Sequence, residues 1–483
     1  MADIPTGHIG NLTPEQDSKL RDLWAIVFKF LDAYEKELAN GDGKSEEVAA
    51  PAVPEKKGWF GRSKAKAATP THTKFPNLVK EVMAMLPPED RDNQELVKIA
   101  IEALDLYTPE VIRSIIRECV KHEHPDALAL RFLRARKWDL IRAVAMMAKT
   151  INWRVNTMKV DKVLMREGEG QAVVDEKSGT GFKKTLAADF LKQMRWGKSF
   201  LHGTDREGRP VNYIRVKMHK ASDQCNESIE QYTVYLFELG RLAVEPPVET
   251  ATIVFDMTGF TLANLDYVPI KFLIQCFEAN YPESLGHCLI HNAPWAFKSV
   301  WRIIHGWLDP VVAAKVHFTY TVDDLNQYIA QDKLVKELGG SEDWEYEFVE
   351  PREGEDAPMQ DTATRDRLSQ QRQQLADAFE AKSREWTENP DNEKTAAIKA
   401  ERDRLAAELA ANFWELDPYV RARSLYDRLG YFRGARGTDW YGTRDAQEAK
   451  ANGNGAAAAK TEPVADDAKV PAASAPKVTE VAA

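Results

Sequence analysis

Between Gly197 and Gly340 short apolar runs alternate with amphipathic stretches, and no other feature of the chain restricts its fold as tightly. Val211 to Val216, Thr252 to Phe255, Cys288 to His291 and Val316 to Tyr320 are short and rich in β-branched and aromatic residues, so each reads as a strand. Phe200 to Gly203 reads as a further one. The gaps hold helix-length segments with helical spacing: Ser228 to Ala243, Tyr267 to Tyr281, Pro294 to Trp307 and Val322 to Tyr328. Strands joined through helices imply right-handed crossovers and a mostly parallel sheet. The expected fold class is α/β.

The flanks are helical. Thr13-Pro14-Glu15 is a cap followed by a proline in the first turn, and Leu20, Leu23, Trp24, Val27, Phe28 and Leu31 form one stripe of a helix over Thr13 to Leu38. Residues 41–75 lose periodicity and read as a flexible, Lys-rich linker. Helical patterning from Asn77 to Arg154, broken at Pro87-Pro88, Pro109 and Pro125, predicts a small helical domain over 76–165, ahead of the sheet lobe over 166–350. In 351–443 two charged stretches, Thr364 to Trp386 and Asn392 to Leu416, suit an antiparallel hairpin. The Ala, Lys, Glu and Pro of 444–483 predict a disordered tail.

Several function classes are disfavoured. No stretch approaches the roughly 20 apolar residues of a membrane-spanning helix, and Met1 to Gly10 lacks a signal-peptide pattern, so a soluble cytoplasmic protein is expected. A formal charge of −10 argues against nucleic acid as a partner. Gly197-Lys198-Ser199 lacks the upstream glycine of a phosphate loop, Gly168-Glu169-Gly170 lacks the third glycine of a dinucleotide fingerprint, and no GxSxG elbow occurs. His287 and His291 fall on one face of a strand and Cys288 on the other, which favours packing over a metal site. No catalytic residue, metal or cofactor is expected.

One helix is unusually bulky. After Asn292-Ala293-Pro294 come Trp295, Phe297, Val300, Trp301, Ile304, Trp307 and Leu308, ended by Asp309-Pro310. This wide apolar face suits either a core helix packed on the sheet or a movable lid over an apolar cavity.

Three segments together resemble the CRAL-TRIO proteins and their fungal phosphatidylinositol-transfer members. They are Leu130-Arg131-Phe132-Leu133-Arg134-Ala135-Arg136-Lys137-Trp138, Asn280-Tyr281-Pro282-Glu283 running on to His291-Asn292-Ala293-Pro294, and Trp307-Leu308-Asp309-Pro310 with Lys315. The resemblance covers about Pro125 to Gly340. It implies a sheet flooring a lipid pocket, a gate helix near Pro294 to Trp307, and non-covalent exchange of one lipid with a bilayer or its presentation to a lipid kinase. It further implies that Arg136, Lys137, Glu283 and Lys315 hold the headgroup of phosphatidylinositol. The chemistry suits them, since cations pair with a phosphodiester and a carboxylate accepts from inositol hydroxyls. The structural alternative is an Arg136–Glu283 salt bridge between domains.

The pocket floor is expected at Ala251, Ile253, Phe255 and Phe277. Ala251, Ile253 and Phe277 stand where relatives that also carry phosphatidylcholine have hydroxyl residues, which leaves a sterol, squalene or another apolar lipid as the alternative ligand. The linker places Lys56, Lys57, Trp59 and Phe60 together, a basic-aromatic cluster suited to transient contact with an anionic membrane, or else an ordinary solvated linker. The stripes Leu368, Leu375, Phe379 and Leu405, Leu409, Phe413 offer either a protein-partner surface or packing against the body.

Overall fold

A computed structural model of the protein describes residues 4–39, 76–85, 93–388 and 393–443. The expected linker, with Lys56, Lys57, Trp59 and Phe60, and the expected tail over 444–483 lie outside the described residues.

The first helix, α1 (Pro14–Ala39), opens on a capping box: Thr13 Oγ1 accepts from Gln16 N–H at 3.3 Å while Gln16 Oε1 accepts from Thr13 N–H at 3.0 Å. Next come α2 (Pro76–Met85), α3 (Gln94–Leu104), α4 (Pro109–Val120), α5 (Pro125–Ala135) and α6 (Leu140–Asn152). Both α4 and α5 begin on the prolines that broke the sequence pattern. Two π-helical stretches, Trp153–Thr157 and Val160–Met165, lead into α7 (Arg166–Ser178), which is kinked at Gly168, and α8 (Gly181–Arg195).

The sheet is built from β1 (Ser199–Thr204), β2 (Pro210–Arg215), β3 (Ala251–Asp256), β4 (Leu285–His291) and β5 (Val316–Thr319), in that spatial order. Only β1 and β2 pair antiparallel; the other pairs are parallel, joined through α9 (Asn226–Ala243), α10 (Tyr267–Gln275) and α11 (Phe297–His305) with the short α12 (Pro310–Ala313). The mixed α/β class and the mostly parallel sheet are those expected. After the sheet come α13 (Val322–Asn326), α14 (Thr362–Glu388), α15 (Thr395–Val420) and the short α16 (Leu425–Arg428).

The bulky helix is shorter than its pattern. Residues 294–296 form a turn, with Phe297 N–H donating to Pro294 O, and the helix begins at Phe297 and stops at His305. The segment expected as Tyr267 to Tyr281 likewise loosens into a π-helical turn over Cys276–Asn280.

The terminal extensions share a core with the helical domain. Leu20, Leu23, Trp24 and Leu31 of α1 are buried with Ile101, Leu130, Leu133 and Ile141, and Trp386 of α14 and Ile398 of α15 join the same cluster. At its heart the buried carboxylate of Asp126 accepts from Trp24 Nε1–H at 2.8 Å and from Arg402 Nη2–H at 2.6 Å, tying α1, α5 and α15 together. Leu368, Phe379, Leu405 and Leu409 are also buried, so these stripes pack internally.

The segment of α16 covers the open edge of the sheet. Tyr426 Oη accepts from Leu201 N–H at 2.7 Å, supplying an outward-facing amide of β1 with a partner, and Glu169, fully buried, holds this segment through Leu425 N–H at 3.0 Å and through Arg428.

Candidate functional site

Side chains on a strand alternate faces, and here the two faces differ in kind. On one, Phe200, Val211, Tyr213, Val254 and Leu289 pack against Leu325, Ile329, Leu334 and Leu338. On the other, Ile214, Ile253, Phe255, Cys288, Ile290 and Val316 floor a cavity. Its walls are Ile229, Tyr232 and Leu236 of α9, Ile270, Leu273 and Ile274 of α10, and Phe297, Trp301 and Ile304 of α11. It encloses about 1490 Å³ of space free of protein atoms, counting the solvent at its mouth. Apolar side chains form most of this lining, so this face is suited to an apolar guest.

A second cavity of about 1050 Å³, measured the same way, lies where the helical domain meets the sheet lobe. It shares Asn212, Leu236, Phe237, Ile253 and Phe277 with the first, and the rings of Phe237 and Phe277, with centroids 5.0 Å apart, bound both. Of the expected floor, Ile253, Phe255 and Phe277 line the large cavity; Ala251 lines the second one instead, because it stands at the start of β3.

The expected gate residues divide into three groups. Phe297, Trp301, Ile304 and Leu308 line the cavity. Val300 is buried behind them with Met257, Ile290 and Ala293, and Trp307 packs edge-on to Tyr267 at 5.4 Å beneath the Lys271 ammonium. Trp295 departs from the expectation: it precedes the helix and is 90% exposed, since the turn after Pro294 directs it away from the apolar face. Trp307 and Leu308 also lie beyond the last residue of α11.

Arg136, Lys137, Glu283 and Lys315 meet in one hollow of about 870 Å³, together with Arg134, Glu278 and Asp309. Local backbone geometry brings them there. Helix α5 ends at Ala135, and Lys137 and Trp138 take left-handed φ values of 52° and 66°, which turns the chain sharply; Glu283 does the same at 55° in the turn before β4. Lys315 Nζ stands 3.7 Å from Glu283 Oε2. Arg136 does not take up the alternative pair with Glu283; its Nη1 donates to Ala135 O at 2.9 Å. Arg134 Nη2 donates to Glu249 at 2.6 Å, and Glu278 Oε1 accepts from Asp309 N–H at 2.7 Å. Arg134, Glu278 and Asp309 were missed in the sequence, although Arg134 and Asp309 lie inside motifs that were recognised.

This polar hollow and the large apolar cavity share Phe277, Leu285 and Val312 in their walls. A charged hollow thus lies against an apolar cavity, with these three side chains as their common wall.

The lobes are joined by buried charge. Arg154 donates to Glu238 at 2.7 Å and to Asp161 at 2.6 Å, Lys121 Nζ is 2.9 Å from Glu238, and Tyr281 Oη–H donates to Glu238 at 2.7 Å. Burial alone raises the Glu238 carboxyl pKa, but Arg154 and Lys121 outweigh it and hold it well below the ordinary carboxylate range.

The CRAL/TRIO domain pattern matches residues 194–340, and the CRAL/TRIO N-terminal domain pattern matches 95–149. A CRAL-TRIO domain-containing protein of Schizosaccharomyces pombe is 37% identical over 439 residues, covering 88% of this chain and 92% of its own length. Phosphatidylinositol transfer protein CSR1 of Eremothecium gossypii is 34% identical over 438 residues, covering 88% of this chain and 98% of its own. The crystal structure of Sfh5 aligns with 40% of this chain and 66% of its own at 16% identity and a TM-score of 0.32. The chain belongs to the CRAL-TRIO family, a family of lipid-transfer rather than catalytic proteins. Among the described residues no helix is long and apolar enough to cross a membrane.

Proposed function

We propose that this chain binds one phosphatidylinositol molecule and carries it between membranes at their cytosolic faces, or presents it for phosphoinositide synthesis. The observation that carries this reading is the shared wall of Phe277, Leu285 and Val312, which sets a hollow of mixed charge beside an apolar cavity. Arg136, Lys137 and Lys315 are suited to the phosphodiester and Glu283 to the inositol hydroxyls. The relative named as a phosphatidylinositol transfer protein, aligned over nearly its whole length, supports the same headgroup.

Energetics require the enclosure. At about 0.8 kcal/mol per methylene, two acyl chains of around 16 carbons cost on the order of 25 kcal/mol to expose to water. The cavity removes that cost during transit, and α11 with Phe297, Trp301 and Ile304 is the element placed to open against a bilayer and close in water.

A second reading, a carrier of sterol, squalene or another apolar lipid, is favoured by the absence of a hydroxyl at Ala251, Ile253 and Phe277. A partner-binding scaffold built on the C-terminal stripes has less support, because Leu368, Phe379, Leu405 and Leu409 are buried within the protein itself.

Transfer of labelled phosphatidylinositol between vesicles tests the proposal. Replacing Glu283→Ala together with Lys315→Ala removes both members of an ion pair, leaves no orphaned charge, and lowers headgroup affinity on the order of 100-fold. Transfer that proceeds unchanged in the double variant overturns the headgroup assignment.

A further inference from the structure

The polar hollow borders two apolar spaces, not one. It shares Leu285 and Val312 with the cavity over the sheet and Pro282 with the cavity between the lobes, and Phe277 lines all three. Phe277 therefore stands at a fork. On one branch the walls are α9, α10 and α11; on the other they are Ile116, Phe132, Met147 and Ile151 of the helical domain together with Leu236 of α9.

The branch between the lobes also carries polar groups, and most of them are engaged. Arg154 is bonded to Glu238 and Asp161, Glu249 accepts from Arg134, and Arg241 Nη2 donates to Cys119 O. Two donors are left over. Asn280 is 9% exposed and its Nδ2 has no hydrogen-bond partner; Arg131 is 7% exposed, donates through Nη1 to Glu123 and through Nη2 to Glu249 O, and has no partner for Nε. Among the described residues no buried side-chain acceptor of this lining is unmet. Buried donors without partners cost free energy, and they are complemented by a group that accepts without bringing a proton of its own. An ester carbonyl is such a group.

We propose that the two acyl chains of the bound phospholipid part at Phe277, one passing over the sheet beneath α10 and α11 and the other entering the cavity between the lobes, where Asn280 Nδ2 donates to its ester carbonyl. Asn280 lies three residues after Phe277 and two before Pro282, and both of these also border the hollow. The ester end of the chain, rather than its methyl end, therefore falls beside it. A hydroxyl suits the place less well, since its proton finds no free acceptor, and a carboxylate would add negative charge beside Glu249. The inference rests on the phosphatidylinositol reading and specifies how that lipid is seated.

Photolabelling of the full-length protein tests it without substitution. Phosphatidylinositol carrying a diazirine near the end of the sn-1 chain, or in a separate sample of the sn-2 chain, is loaded from vesicles and irradiated, and the labelled sites are mapped by peptide mass spectrometry. One chain should mark Ile116, Met147 or Ile151, and the other Ile270 or Trp301. Both labels confined to α10 and α11 would overturn the parting of the chains while leaving phosphatidylinositol in the sheet cavity. Protein that takes up no labelled phosphatidylinositol overturns the inference together with the reading beneath it. Phe277→Ala should let each label reach both sets of residues, and a partition that survives this substitution overturns the role of the ring. For Asn280, the wild type should take up the diester about fivefold more readily than a lipid whose chain between the lobes is ether-linked and lacks the carbonyl. Equal uptake overturns the hydrogen bond, and Asn280→Leu should bring the ratio near one. The two wild-type measurements decide even where a variant fails to fold.

Discussion

The two faces of the sheet are made from the same strands and the same kinds of residue, yet one is solid and the other hollow. On β3, Val254 is fully buried against Leu289, Leu325 and Leu334, while its neighbours Ile253 and Phe255 face the cavity. The residue opposite decides which outcome holds. The solid face is closed by Leu325, Ile329, Leu334 and Leu338, all on short connected segments after β5; the hollow face is spanned by α9, α10 and α11, whose side chains line the cavity. Stability is concentrated on the first face. Ligand capacity is concentrated on the second, and buried charge around Glu238 helps to hold its walls.

Four measurements sharpen that contrast. Glu238→Ala leaves the buried Arg154 and Lys121 to share Asp161 alone, and should lower unfolding free energy by about 3 kcal/mol in urea titration. A loss below 1 kcal/mol would mean that the charge network is not what holds α9 to the helical domain.

On the solid face, Leu289→Ala should cost about 3 kcal/mol, since the cavity it leaves cannot collapse in so tight a cluster. Transfer per folded molecule should not change. The same face carries a pH dependence through His202, buried and stacked on Trp344 with ring centroids 3.8 Å apart. Burial pushes its pKa down to about 3 from 6.5. The unfolded chain binds a proton there below pH 6.5 that the folded chain refuses, so stability falls as pH falls from 6.5 toward 3. Between pH 7 and pH 5 His202→Phe should remove up to about 2 kcal/mol of that loss, seen as a smaller shift of the urea midpoint.

The smallest effect belongs to the hollow face. Ile253→Ala enlarges a space that already exists, and should cost about 1 kcal/mol or less in the lipid-free protein. A loss equal to that of Leu289→Ala would show that the cavity is filled by protein in solution, and would erase the distinction between the faces.

Much of the sheet lobe was legible from the sequence because strand and helix periodicities differ and Pro109 and Pro125 mark helix starts. Four of the charged residues of the polar hollow, Arg136, Lys137, Glu283 and Lys315, were legible only through family resemblance: Arg136 and Lys315 are 179 positions apart and no spacing rule joins them. Periodicity identified Phe297, Val300, Trp301 and Ile304 as one face, but extended the helix to Trp295, where the turn after Pro294 gives no apolar signal of its own. The hollow itself could not be read, since Ile253 and Val254 are both β-branched, apolar and mid-strand; only the third dimension tells a filled face from an empty one. The same holds for the bonds from Asp126 to Trp24 and Arg402, which join helices distant in sequence.

The central claim is that the hollow face carries one lipid whose headgroup sits at Arg136, Lys137, Glu283 and Lys315. Native mass spectrometry of the full-length protein after incubation with phosphatidylinositol vesicles tests it most directly, with Ile253→Trp as the comparison because an indole on the floor fills the cavity from within. The account predicts one phosphatidylinositol per chain in the wild type and none in Ile253→Trp. Equal phosphatidylinositol on both proteins, or none on the wild type, would contradict it.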